Sequence, residues 1–170
     1  MRKSRVLVVV VPAVVLLLIT GFAFSYFSQH SMKPSASYER GLPSLPHHVL
    51  IATQGSRFKD RLVAGLAAQV AARVAYVKVI DVAKLSGIRE KDWHAIVIVH
   101  TWQYGRPPEV VSDFAARLAA PDEVIYVTTS GNGREKFPGV DAISSASMVD
   151  EVPALVMQIG AKIDALLAKR

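Results

Sequence analysis

The sequence predicts an α/β domain of three layers, with one membrane-crossing helix in front of it. Its parallel sheet has about five strands in the order 2-1-3-4-5, between two layers of helices. Three observations carry this prediction. A run of 22 uncharged residues, Val6 to Phe27, lies near the start of the chain. From His48 onward, short β-branched runs alternate with amphipathic stretches. Gly, Ser, Thr and Pro collect where those runs hand over to the next element, as turn residues do.

The uncharged run comes first. Hydrophobic residues make up 51% of the chain, and much of the excess sits here. As a helix, 22 residues would rise about 33 Å, against a hydrocarbon core of about 30 Å. Arg2, Lys3 and Arg5 precede the run, and only Lys33 follows closely. Positive charge stays on the cytoplasmic side, so the N-terminus is expected in the cytoplasm and the domain outside, periplasmic or extracellular. A cleaved signal peptide is the alternative, with small residues at Ala23-Phe24-Ser25 and Ser35-Ala36-Ser37; the run exceeds the usual 7–15 residues of a signal's apolar region. Residues 1–28 thus read as a signal-anchor, 29–46 as a flexible Ser/Pro-rich stalk, and 47–170 as the domain.

Charge follows the same division. The net charge is +6, from 20 basic and 14 acidic residues, and four of the basic ones precede residue 38. The remainder is nearly neutral and has no basic run, which argues against nucleic acid as a partner. Cysteine is absent, so disulfides, thiol catalysis and thiolate metal sites are excluded.

Along the domain, Val49 to Thr53 is a β-branched run that ends in a turn. Phe58, Leu62, Leu66, Val70 and Val74 recur every fourth residue and predict a helix with one apolar face. Val74 to Asp81 is the second strand; Tyr76 and Lys78 on one side make it look like an edge. Trp93 to Val99 is the most continuous apolar run and predicts a central strand. Pro107-Pro108 opens a helix through Val110, Val111, Phe114 and Leu118, since proline is tolerated in a first turn. Val124 to Thr128 and Val140 to Ile143 are further strands. A last helix runs from Val152 through Leu155, Ile159, Ile163 and Leu167, with Ser147 and Asp150 resembling a capping box. Only a turn or two of helix fits between Val82 and Asp92, and Ser130 to Gly139 is short for a crossover.

In such sheets ligands bind beyond the carboxyl ends of the strands. Four loops gather there. Thr53-Gln54-Gly55-Ser56-Arg57 offers hydroxyls and free N–H groups at a helix start, suited to a phosphate or simply to capping the helix with Ser56. His100-Thr101-Trp102-Gln103-Tyr104-Gly105-Arg106 brings two aromatics, for a ring ligand or for packing over the sheet end. Thr128-Thr129-Ser130-Gly131-Asn132-Gly133 is a loop or a tight turn. Ser144-Ser145-Ala146-Ser147 adds three hydroxyls.

The first three loops, with Asp92 to Val99 before the second, resemble the flavodoxin and FMN reductase superfamily. The resemblance covers roughly residues 48–168 and implies a flavodoxin-like fold that binds FMN. It implies the FMN phosphate at Thr53, Gln54, Gly55, Ser56 and Arg57, although Gln54, Arg57 and Phe58 stand where the family prefers hydroxyls or small residues. The flavin ring is implied against Thr101, Trp102, Tyr104 and Gly105, and beside Ser130, Gly131, Asn132 and Gly133.

Other chemistries find little support. No His, Asp and Glu share metal-ligand spacing, so no metal is expected. Ser56, His100 and Asp81 include a triad's residue types, but no G-x-S-x-G is present. The expectation is an FMN-binding electron carrier at a membrane, serving a redox or envelope protein. An extracytoplasmic domain would lack a nicotinamide reductant, which disfavours a soluble-cofactor reductase. The alternative is a module of the same fold that has lost FMN and acts through protein contacts.

Overall fold

The computed structural model describes residues 10–22, 33–73 and 75–169. They fall into two compact units, divided between Met32 and Lys33. In the first unit residues 10–22 form a helix, α1, with every residue exposed. The Thr20 hydroxyl donates back along it to the carbonyl oxygens of Leu16 and Leu17, at 2.9 and 3.1 Å.

The membrane-crossing topology expected for residues 6–27 is corrected here. Among the described residues no helix is long and apolar enough to cross a membrane. The thirteen described residues of α1 account for a rise of about 20 Å, against a hydrocarbon core of about 30 Å. Residues 6–9 and 23–27, on which the rest of that expectation fell, lie outside the described residues. The signal-anchor, the single-pass orientation and the periplasmic or extracellular placement all rested on that span and fall with it.

The second unit is built on a six-stranded sheet: β1 (Tyr38–Arg40), β2 (His47–Thr53), β3 (Ala75–Asp81), β4 (Ala95–Thr101), β5 (Val124–Thr129) and β6 (Ile143–Ser145). Its order is β1-β3-β2-β4-β5-β6. The expected all-parallel sheet of about five strands is corrected by β1, which pairs antiparallel with β3. The other five strands are parallel. β1 covers the β3 edge, where Tyr38 faces Val79 and Arg40 faces Val77, and a Glu39–Lys78 ion pair at 2.9 Å braces the seam. Covering an edge removes a row of unpaired backbone groups from solvent. Residues 33–46, expected as a stalk, therefore belong to the folded unit.

Alternation along the strands sends side chains to two separate cores. Val49, Ile51, Val97, Val99 and Val127 face helices α2 (Arg57–Ala71) and α4 (Val152–Leu167). Leu50, Ile96, Ile98 and Tyr126 face α3 (Glu109–Ala116) and the 3-10 turn Val82–Gly87. β4 is buried over Ala95–His100, as a parallel strand covered on both faces must be.

Helix starts are defined by few residues. Ser56 caps α2, its Oγ accepting from Lys59 N–H at 3.3 Å, a contact usually worth about 1 kcal/mol. Pro108 caps α3 rather than lying inside its first turn. α4 departs from the capping box expected at Ser147. A 3-10 turn, Val149–Glu151, precedes the helix, its cap is Glu151, and Ser147 sits at φ +63°.

Candidate functional site

The carboxyl ends of β2, β4, β5 and β6 bring the four predicted loops to one edge of the sheet. Backbone and side-chain hydrogen bonds tie them together. Gln54 Oε1 accepts from Thr101 N–H at 2.8 Å, Trp102 N–H donates to Thr129 O at 2.7 Å, and Ser130 N–H donates to Ser145 O at 3.1 Å.

The first loop is closed by the chain itself. Gly55 N–H donates to Lys33 O at 2.8 Å, and Lys33 N–H returns a bond to Gly55 O at 3.3 Å. A Cβ at Gly55 would meet Lys33 O at 2.8 Å and Pro34 O at 3.1 Å, so glycine is what lets this strap approach. Ser35 N–H then donates to Asp81 Oδ2 at 2.6 Å, and Lys84 Nζ to Ser37 Oγ at 2.9 Å. Thr53 is buried and its hydroxyl turns to Gln54 O at 3.1 Å. Ser56 is committed to the α2 cap, and Arg57 is exposed.

Beneath the loops lies a lysine that sequence reasoning missed. Lys59, in the first turn of α2, is 1% exposed. Its Nζ donates to Thr101 Oγ1 at 2.5 Å, Thr101 Oγ1 lies 3.1 Å from Thr129 Oγ1, and Thr129 donates to His100 O at 3.2 Å. These bonds run in one direction, from ammonium through two hydroxyls to a carbonyl. Burial holds the Lys59 amine down at about 8, with Asp60 opposing. On the opposite face His100 is fully buried; its Nε2 lies 3.1 Å from Thr128 Oγ1 and its ring meets Phe137 edge-on. Burial pushes His100 down to about 4. The only signal for Lys59 was its position one step from the buried Phe58.

The second loop is a small hairpin. Gln103 and Arg106 exchange two 3.1 Å backbone bonds. Tyr104 and Gly105 between them have φ +52° and +75°, the left-handed pair such two-residue turns use. Tyr104 stands at the tip, 93% exposed, whereas Trp102 is half-buried at the base. The two predicted ring-packing aromatics are therefore in different environments, and Gly105 is exposed with Tyr104.

In the third loop Ser130 Oγ donates to Asn132 Oδ1 at 2.8 Å, and Gly131 is exposed. Gly133, at φ +64°, presses against the β6 loop, where an added Cβ would lie 2.8 Å from Ala146 N. Between these loops and α4 a cleft of about 320 Å³ opens, its lining including Asn132, Gly133, Ser144, Ser145, Glu151 and Gln158. Of the thirteen predicted binding residues, only Asn132 and Gly133 line it. Glu151 and Gln158 carried no sequence signal.

Among solved structures the chain is similar to an oxidoreductase from Corynebacterium diphtheriae. Sequence identity is 12%, the match covers 73% of this chain and 98% of that one, and the TM-score is 0.48. No family model matches the chain, and no curated protein matches it.

The residues present do not fit FMN in the manner the resemblance implies. A phosphate seated in the first loop needs the Gly55 N–H and the space beside its Cα, and the strap from Lys33 to Ser35 takes both. The cleft beside β6 presents a carboxylate, Glu151, which would repel a phosphate.

Proposed function

We propose that this chain is a flavodoxin-like module that holds no FMN and acts through contacts with a protein partner. The Lys33–Gly55 bridge carries this reading. To seat a phosphate, the first loop must give up two backbone hydrogen bonds to Lys33 and the one from Ser35 to Asp81. At a net value of about 1 kcal/mol each, they represent about 3 kcal/mol, or roughly a hundredfold in affinity. The contact surface is the hairpin tip, where Tyr104 is presented on a turn with a fixed backbone. Rigid aromatics of this kind are enriched among the residues that dominate protein interfaces.

An FMN-dependent electron carrier is the second reading, and one observation favours it. Lys59 places a buried amine beside Thr101, and a fixed positive charge at that edge would favour an anionic ligand. This reading requires residues 33–35 to leave the first loop.

Titration of the full chain with FMN, followed by quenching of flavin fluorescence, decides between the two. The first reading expects no saturable quenching up to about 100 µM, and a dissociation constant of about 1 µM would overturn it.

A further inference from the structure

We propose that the cleft between the β5 loop, the β6 loop and the start of α4 binds a small organic ammonium that also carries hydroxyl or carbonyl oxygens. The cleft lies at the carboxyl edge of the sheet, where doubly wound folds hold their ligands. Its volume of about 320 Å³ is at the lower end of the range for small-molecule sites.

Its chemistry is one-sided. Glu151 supplies a carboxylate, Asn132 and Gln158 supply amides, Ser144 and Ser145 supply hydroxyls, and among the described residues no Lys, Arg or His lines the cleft. Leu155 adds an apolar patch. An anion would meet Glu151 with no cation to offset it. A ligand bearing an ammonium finds a charged acceptor there and amides and hydroxyls for its oxygens.

The carboxylate is held in place before any ligand arrives. Ser145 is buried, its Oγ donates to Glu151 Oε2 at 2.6 Å, and it accepts from Ser147 N–H at 2.9 Å. Among the described residues no hydrogen bond reaches Glu151 Oε1, the Ser144 hydroxyl or the Gln158 amide. Ser147 reaches Ser145 only by adopting φ +63°, a conformation that is costly for a residue with a Cβ and concentrates at functional sites. Gly133 closes the rim, its own positive φ allowing the backbone contact with Ala146.

Glucosamine, glucose and glucose 6-phosphate are matched probes of ammonium, neutral and anionic character. Each is titrated into the full ¹⁵N-labelled chain while the amides of Gly133, Ser144 and Ala146 are followed. Saturable shifts with glucosamine, and binding of glucose and glucose 6-phosphate at least about tenfold weaker, are expected. Glu151→Gln should bring glucosamine and glucose within about threefold of each other. Absence of saturable shifts, equal binding of glucose, or an undiminished preference in Glu151→Gln overturns the proposal. Should Glu151→Gln fail to fold, Gln158→Lys on the exposed rim gives the second test. It must move the preference from glucosamine toward glucose 6-phosphate, and an unchanged preference counts against the site.

Discussion

Lys33 and Gly55 exchange two backbone hydrogen bonds, of 2.8 and 3.3 Å, across the start of α2. This one relationship turns an apparent phosphate loop into a seam between the sheet edge and the segment leading to β1. The proposal that this loop holds no FMN phosphate rests on it, and it ties residues 33–35 into the folded unit.

Gly55→Ala tests the seam by sterics. The new Cβ would meet two backbone oxygens at 2.8 and 3.1 Å, which cannot swing aside as a side chain would. A loss of about 1–3 kcal/mol in urea unfolding is expected, in the range for overpacked sites. Faster exchange of the Ser35 amide should accompany it, and wild-type stability would place the strap elsewhere.

Ser147→Gly should act in the opposite direction. Relief of the left-handed conformation at φ +63° is worth about 1–2 kcal/mol, and the extra freedom of glycine in the unfolded chain takes back about 0.4–1 kcal/mol. The bond to Ser145 uses the backbone N–H and survives the change. A thermal midpoint equal to or above that of the wild type is expected; a clear loss would mean that the serine side chain itself is needed.

His100 makes stability depend on acid. Its folded value of about 4 lies below the ordinary 6.5, so between those limits the unfolded chain binds more protons. Its contribution is complete above about pH 6.5 and is lost as pH falls toward 4, with an upper limit of about 3 kcal/mol. Urea unfolding of wild type and His100→Gln across this window should show a shallower acid loss in the variant. Parallel curves would mean that His100 is not buried neutral.

Lys59 acts in the alkaline range. Its value of about 8, against 10.5 in an open chain, means that the unfolded state again holds the extra proton between the two. Stability should therefore gain up to about 3 kcal/mol as pH rises from 8 to 10.5. In Lys59→Met this rise should be missing, and its persistence would assign it to another group.

Particular residues explain what could be read beforehand. Val49–Thr53 and Val124–Thr128 lie inside β2 and β5, and Phe58, Leu62, Leu66 and Val70 form the buried face of α2. Strong apolar periodicity made these legible. β1 was not, because Tyr38–Arg40 has three residues, two of them exposed, and owes its conformation to pairing with β3. The contact of Gly55 with Lys33 was not legible, because a glycine that admits a phosphate and one that admits a backbone carbonyl look alike in sequence. Lys59 was overlooked because a charged residue in a first helical turn normally faces solvent, and only the tertiary fold buries it. Ser147 fell into the same category: its capping pattern was present, but the 3-10 turn Val149–Glu151 moved the helix start to Val152.

The amide of Gly55 gives the most direct test of the central claim. Its hydrogen exchange is measured by NMR in the full chain, alone and with FMN in large excess. A bond to Lys33 O predicts a protected amide whose exchange and chemical shift FMN leaves unchanged. An amide that exchanges as fast as an open loop, or that shifts saturably with FMN, would contradict the closed loop and restore the phosphate site.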